Sequence, residues 1–334
     1  MLLSLFCGAG GLDCGFEAAG YKIGMAFDRN ADSIESYNHN RNNLTTAYTA
    51  DVRDLDLCAL DRFHGGQFAP QGVIGGPPCQ SFSQANVSQK DEDPRQQLPL
   101  AFAQIVIALN SRNPIDFFVI ENVPGLLNKR HIGTLTDTTN SLKANGFNIR
   151  YDIVDAQFYG TPQRRRRLFV VGYNTRKYGS LSWEPPAPYM VEPLTVRSVL
   201  SNLPEPIYFA RGIDSSAIPH HGNHWCMQPK SKKFSTPGAL TQGRRKARSF
   251  KTLEWDQPSI AVAYGHREVH IHPNGKRRLS VYEAMLLQGF PTDYELLGTL
   301  SSQINQVSEA VPPPLAEAIA KSIYKQLTQT PNAL

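Results

Sequence analysis

Cys79 and Glu121 are the two side chains of this 334-residue chain whose sequence settings best suit covalent chemistry. Cys79 follows Gly72-Val73-Ile74-Gly75, an apolar run bounded by glycines that predicts a short buried strand. Pro77 and Pro78 stiffen the backbone just before the thiol, and a polar segment follows it. Most free cysteines are small buried hydrophobes. A thiol on a rigid turn at the end of a strand is instead set out as a nucleophile. Glu121 closes a second apolar run, Phe117-Phe118-Val119-Ile120, which predicts a fully buried strand ending in a carboxyl group. Such a group is either half of a structural ion pair or an acid facing the crevice where open α/β sheets bind ligands. Arg164 to Arg167 form a third feature, directly before apolar Leu168-Phe169-Val170-Val171. Four arginines alone would mean a solvated or nucleic-acid-facing patch, but at the start of a strand alternate ones must point inward.

These groups need strands that end on one edge, and the spacing supplies them. One apolar helix, predicted from Leu98 to Leu109, separates the Cys79 strand from the Glu121 strand, as a right-handed parallel crossover requires. Upstream, Leu2 to Phe6 reads as a strand, broken by Cys7-Gly8-Ala9-Gly10-Gly11 before a helix that starts near Leu12. A second strand runs from Tyr21 to Phe27 and ends at Asp28, and a third around Ala47 to Ala50 leads to Asp51 and Val52. Three successive strand ends carrying Gly, Asp and Asp form a cofactor crevice, with an acid suited to ribose hydroxyls. Asp13 stands where the third glycine of G-x-G-x-x-G would fall, which disfavours a pyrophosphate-bearing dinucleotide and hence a nicotinamide oxidoreductase. The fold class expected is α/β, a doubly wound and mostly parallel sheet. Residues 84–97 are too long and hydrophilic for a tight connection and read as a lid over the site.

Several of these segments together resemble the DNA (cytosine-5) methyltransferases of stand-alone bacterial restriction-modification systems. Pro78-Cys79-Gln80-Ser81-Phe82-Ser83 is similar to the family's nucleophile motif, and Glu121-Asn122-Val123 matches another motif without change. Gln163, Arg165 and Arg167 fall on the pattern Gln-x-Arg-x-Arg, and Glu283 to Pro291 resembles the penultimate motif. The resemblance implies a site for S-adenosylmethionine lined by Phe6, Gly8, Gly10, Gly11, Leu12 and Pro78. Phe27 would pack on adenine, while Asp51 and Val52 would read its edge. Ala26 stands where the family often has Glu, so ribose contact passes to Asp28. Ser308-Glu309-Ala310-Val311 replaces the usual Gly-Asn-Ser/Ala-Val, with Ala310 and Val311 and the last helix completing the cofactor pocket. In the implied reaction Cys79 attacks C6 of a flipped cytosine and Glu121 protonates N3. Arg165 is expected at the base's O2, Arg167 as a supporting or phosphate contact, and Gln163 beside them.

Composition bounds the rest. The 41% hydrophobic content supports a large core, and no segment is long and apolar enough to span a membrane. The first residues show no basic leader, and five scattered cysteines suit a reducing compartment, so a cytoplasmic bacterial protein is expected. The net charge of +5 is unevenly spread: from Cys226 to Arg278 twelve Lys or Arg face three acids. That excess, interleaved with Trp225, Phe234, Phe250 and Trp255, favours duplex DNA as partner. The family places its target-recognition region there, so residues 1–183 are expected to form the catalytic domain, 184–275 the recognition domain and 276–334 the return to the catalytic domain. His220 to Cys226 matches no common zinc spacing, so no metal is expected and the segment is either a folded loop or DNA-facing histidines. A monomer is expected, paired functionally with a restriction endonuclease without a stable complex. The same chemistry on tRNA, or a silent DNA-binding module, are the alternatives.

Overall fold

The computed structural model describes residues 1–78, 97–189, 191–243, 250–261 and 270–329. Cys79, the expected lid except Gln97, and part of the basic run lie outside the described residues. Eight strands are numbered here: β1 Leu2–Leu5, β2 Ile23–Asp28, β3 Ala47–Thr49, β4 Gly72–Gly75, β5 Phe117–Asn122, β6 Phe147–Asp155, β7 Gln163–Arg164 and β8 Arg166–Asn174. The helices are α1 Gly11–Ala18, α2 Ala31–His39, α3 Leu57–His64, α4 Leu98–Arg112, α5 Ile132–Ala144, the short α6 Thr175–Tyr178 and α7 Val196–Leu200, then α8 Val281–Gln288, α9 Leu300–Glu309 and α10 Pro313–Gln329.

Seven strands form one sheet in the order β3-β2-β1-β4-β5-β8-β6. The first five run parallel, while β8 is antiparallel to both β5 and β6. This is the expected doubly wound sheet, with β1 and β4 adjacent where the strand order reverses, the place at which such sheets bind ligands. Alternation along the strands fills two apolar layers. Leu2 and Ile74 pack with Phe16 of α1, Tyr37 of α2 and Leu315 and Ile319 of α10 on one face. Leu3, Leu5 and Val73 pack with Leu60 of α3, Phe102 and Val106 of α4 and Leu135 of α5 on the other.

Local chemistry sets the ends of these elements. Asp56 accepts from the Ala59 amide to start α3, and Gly65 in a left-handed conformation (φ 76°) stops it. Ser280 and Glu283 close the predicted capping box at α8. α1 and α10 approach so closely at Gly15 that a Cβ there would lie 2.4 Å from the Ala316 side chain. Trp183 is fully buried and donates its indole NH to Ser322 Oγ at 3.0 Å, tying the end of the first segment to the last helix.

Candidate active site

Glu121 comes off the end of β5 onto the loop that follows β4. Its side chain is almost fully buried, and Oε2 sits 3.0 Å from where a Cβ on Gly76 would be, so any larger residue there would press on the carboxylate. Asn122 turns its amide the same way and donates to the Pro77 carbonyl at 3.2 Å. The Glu-Asn-Val motif is thereby fastened to the proline pair that precedes Cys79. Oε1 of Glu121 receives the Nε of Arg167 at 2.8 Å. Burial pushes the Glu121 carboxyl above its ordinary range, and the charges of Arg167 and Arg165 offset only part of that push.

The two inward arginines have different described partners. Arg164 and Arg166 are exposed and Arg165 is buried, as strand alternation predicted. Nη2 of Arg165, however, donates to the carbonyls of Ser308 at 2.7 Å and Ala310 at 2.8 Å. Arg165 thus ties into the α9–α10 junction while its charge also acts on Glu121, and Arg167 makes a direct ion pair with Glu121. Gln163, expected among the catalytic set, spends its side chain on Gln288 Oε1 at 2.9 Å and the Leu287 carbonyl. Gln288 in turn donates to the Ala310 carbonyl at 2.6 Å. Gln163, Arg165 and Gln288 thus anchor the segment carrying Ala310 and Val311.

That segment presses on the β1–α1 turn. A Cβ on Gly11 would lie 2.5 Å from the Val311 carbonyl and 3.0 Å from the Ala310 side chain, while one on Gly10 would meet Tyr294 and Tyr37 at 3.0 Å. Gly10 and Gly11 are required for packing, and Leu12 is buried in the core beneath them. Gly8 differs: its φ is 53° and nothing lies within 4 Å of the Cβ it lacks. Phe6 shares the left-handed backbone at φ 56°, a costly conformation for an aromatic residue and one concentrated at ligand sites. Asp28 reaches across from β2, accepting from the Gly8 amide at 3.0 Å and the Asn30 amide at 2.8 Å, and burial raises its carboxyl pKa.

Two expected adenine contacts sit differently. Phe27 is fully buried, its ring centre 5.7 Å from Tyr48 and 5.1 Å from Phe63, so no face is open for adenine. Strand alternation puts it with Met25 in the core layer. Asp51 caps the turn at Val52 and is held by Arg53, Oδ2 to Nη2 at 2.6 Å, which draws its pKa down to about 2. Val52 is buried. The open backbone at Gly8 beside the acid of Asp28 suits a cationic, ribose-bearing ligand without a pyrophosphate, and the residues present fit S-adenosylmethionine.

Sequence reasoning did not anticipate the buried network behind this turn. Asp13 accepts from Ser4 Oγ and from the Tyr37 hydroxyl, each at 2.7 Å, and burial pushes its pKa up to about 6. Its place at the position of the missing third glycine was the available signal. Farther away, His224 and Asn223 are buried, with His224 against Ser280 at 3.0 Å and Asn223 donating to Gln303 at 3.0 Å. The histidine segment is accordingly a folded loop. Among the described residues no cluster of three or more His, Cys, Asp or Glu could hold a metal ion, and no helix is long and apolar enough to cross a membrane.

Residues 1–325 match the family model for C-5 cytosine-specific DNA methylase. The chain belongs to that family. Among its relatives, the Type II methyltransferase M.MthTI of Methanothermobacter thermautotrophicus is 30% identical, over 98% of this chain and 97% of its own. M.AplI of Arthrospira platensis is 31% identical over 99% of this chain and 88% of its own. A crystal structure described as a DNA modification methyltransferase encoded within an E. coli prophage superposes with a TM-score of 0.80 at 25% identity, covering 98% of this chain and 99% of that one. The S. pombe Dnmt2 methyltransferase shares the fold, with a TM-score of 0.67 at 19% identity over 97% and 98% of the two chains. This DNA cytosine-5 methyltransferase uses S-adenosylmethionine, as its family and fold entail.

Proposed function

We propose that this methyltransferase modifies a flipped-out cytosine within a specific duplex sequence through a covalent bond between Cys79 and C6, and thereby shields that sequence from a partner endonuclease. The observation that carries the mechanism is the hydrogen bond from Asn122 to the Pro77 carbonyl together with the close approach of Glu121 Oε2 to Gly76, two and three residues before the thiol. Addition of a thiolate to C6 breaks the ring's aromaticity and is easier when N3 takes a proton. Glu121 is suited to supply it: Oε1 is held by Arg167, while Oε2 faces the Gly76 loop and burial favours its protonated form.

Arg167 orients that carboxyl, and a cation of this kind favours the thiolate form of a cysteine brought close to it. Arg165, Gln163 and Gln288 hold Ala310 and Val311 against the glycine turn, which ties this cofactor wall to the arginine segment. Gly8, Asp28 and Phe6 are the residues that would hold S-adenosylmethionine, with Pro78, Ala310 and Val311 nearby. When bound, it supplies a methyl group on a sulfonium, electrophilic enough for an enamine-like C5.

A ring inside a duplex is out of reach of such a site, which is the reason for base flipping. Residues 184–275 are assigned to target recognition, their excess of Lys and Arg meeting phosphates, and the protein acts as a monomer. The Type II designation of its relatives supports the restriction-modification role. Bisulfite sequencing of DNA from cells expressing the chain tests the reading. A single short motif protected throughout the genome is expected; unmodified DNA, or modification without sequence preference, would overturn it.

A further inference from the structure

We infer that Tyr294 is a positioning residue for the cofactor turn: its hydroxyl holds the Ala9 carbonyl and so keeps the glycines between β1 and α1 in the shape that takes S-adenosylmethionine. This rests on the cofactor reading above. The turn is loose by composition. Gly8 and Gly10 both have positive φ, 53° and 85°, and glycine changes the sign of φ at little cost. Asp28 holds the front of the turn through the Gly8 amide, and the Gly10 amide closes it by donating to the Cys7 carbonyl at 2.9 Å. The peptide between Ala9 and Gly10 could still turn over. That would take the Gly10 amide off Cys7 and swing the Ala9 carbonyl to the opposite side.

Tyr294 opposes this rotation. Ala9 is buried, and its carbonyl accepts from the Tyr294 hydroxyl, which also lies 3.0 Å from where a Cβ on Gly10 would be. The phenol interacts with Arg41 and Cys14 as well. A carbonyl only accepts and a guanidinium only donates, so the phenol's proton goes to Ala9. A buried carbonyl deprived of its donor is costly, so the flipped turn is disfavoured while the hydroxyl stays in place.

The hydroxyl is itself held from several sides. Tyr294 lies on the segment between α8 and α9, and side chains grip the next three residues in turn. Asn40, at the end of α2, accepts from the Glu295 amide at 2.8 Å and donates to its carbonyl at 2.6 Å. Asn223 does the same for Leu296, at 2.8 Å and 2.7 Å. Ser36 of α2 accepts from the Leu297 amide at 2.8 Å. The turn is therefore set before a ligand arrives, and binding does not have to select it from a mixture of shapes.

The test is S-adenosylmethionine affinity of the full chain, read by calorimetry, beside KM and kcat on a duplex carrying the mapped target. Tyr294→Phe keeps the ring and removes the hydroxyl. The cofactor's Kd and KM are expected to rise by roughly 5- to 20-fold, with kcat at saturating cofactor changed by less than about twofold. A lower melting temperature of the ligand-free variant with an unchanged Kd would make the hydroxyl purely structural and overturn the inference. Asn40→Ala releases the Glu295 backbone; it should raise Kd in the unmodified chain and add little in Tyr294→Phe. Equal cost in both backgrounds would also overturn the inference. Gly8→Ala separates this from the cofactor reading: an unchanged Kd there removes that reading and this inference with it, whereas a raised Kd there beside an unchanged one in Tyr294→Phe overturns this inference alone.

Discussion

Arg167 Nε stands 2.8 Å from Glu121 Oε1, and the same carboxyl turns Oε2 toward Gly76 at the start of the loop leading to the thiol. One oxygen is fixed by a cation and the other is left to carry a proton. Glu121→Gln preserves shape and removes the acid. Its kcat should fall by about 10²- to 10⁴-fold while S-adenosylmethionine affinity, read by calorimetry, stays unchanged. Equal loss of cofactor affinity would make Glu121 a structural residue.

Arg167 also sets when that proton leaves. Its charge lowers the Glu121 pKa against the larger effect of burial, so removing it lets the pKa rise further. In Arg167→Ala the overall rate should drop, and the limb of kcat that falls as pH rises should move to higher pH. A limb that stays in place or moves toward acid would contradict the assignment of Glu121 as the acid.

Asp13 gives a stability signature independent of catalysis. Its pKa is raised from 3.8 to about 6 in the folded chain, so folding favours its protonated form. That contribution is complete below pH 3.8 and is lost as pH rises through about 6, amounting to about 3 kcal/mol by pH 8. Asp13→Asn should remove most of this decline. Denaturant midpoints measured at pH 5 and pH 8 should differ less in the variant than in the parent chain.

The glycine turn separates packing from binding. Gly11→Ala drives a methyl group to 2.5 Å from the Val311 carbonyl, and should cost about 1–3 kcal/mol of stability along with cofactor affinity. Gly8→Ala meets no neighbour within 4 Å, so its effect on stability should be limited to about 1 kcal/mol of left-handed strain. If Gly8 holds S-adenosylmethionine as proposed, the new methyl group would intrude on the ligand, and the affinity loss should be the larger effect. Thermal melting with and without S-adenosylmethionine distinguishes the two.

The centre of the sheet and the acid at its edge were readable because β4 and β5 are short apolar runs, Gly72–Gly75 bounded by glycines and Phe117–Asn122 carrying Glu121 near its end. α3 and α9 were missed although their caps were in plain view: Asp56 and Thr299 each stand one residue before a helix and accept a backbone amide. Phe27 could also have been placed in the core from the alternation of Ile23, Met25 and Phe27 along β2. The division of labour between Arg165 and Arg167 had no such signal. Both point inward, and which one reaches Glu121 depends on where the α9–α10 junction puts the Ser308 and Ala310 carbonyls. That contact spans well over a hundred residues of chain, beyond what local pattern carries.

The measurement closest to the central claim uses a duplex in which the mapped target cytosine carries fluorine at C5. Fluorine cannot leave as a proton does, so a ring attacked at C6 and methylated at C5 stays bonded to the nucleophile. With S-adenosylmethionine present, the parent chain should form a DNA complex that survives denaturation, and Cys79→Ser should form none while still binding the duplex. A denaturation-resistant complex in Cys79→Ser, or methyl transfer by that variant at the parent rate, would contradict the account.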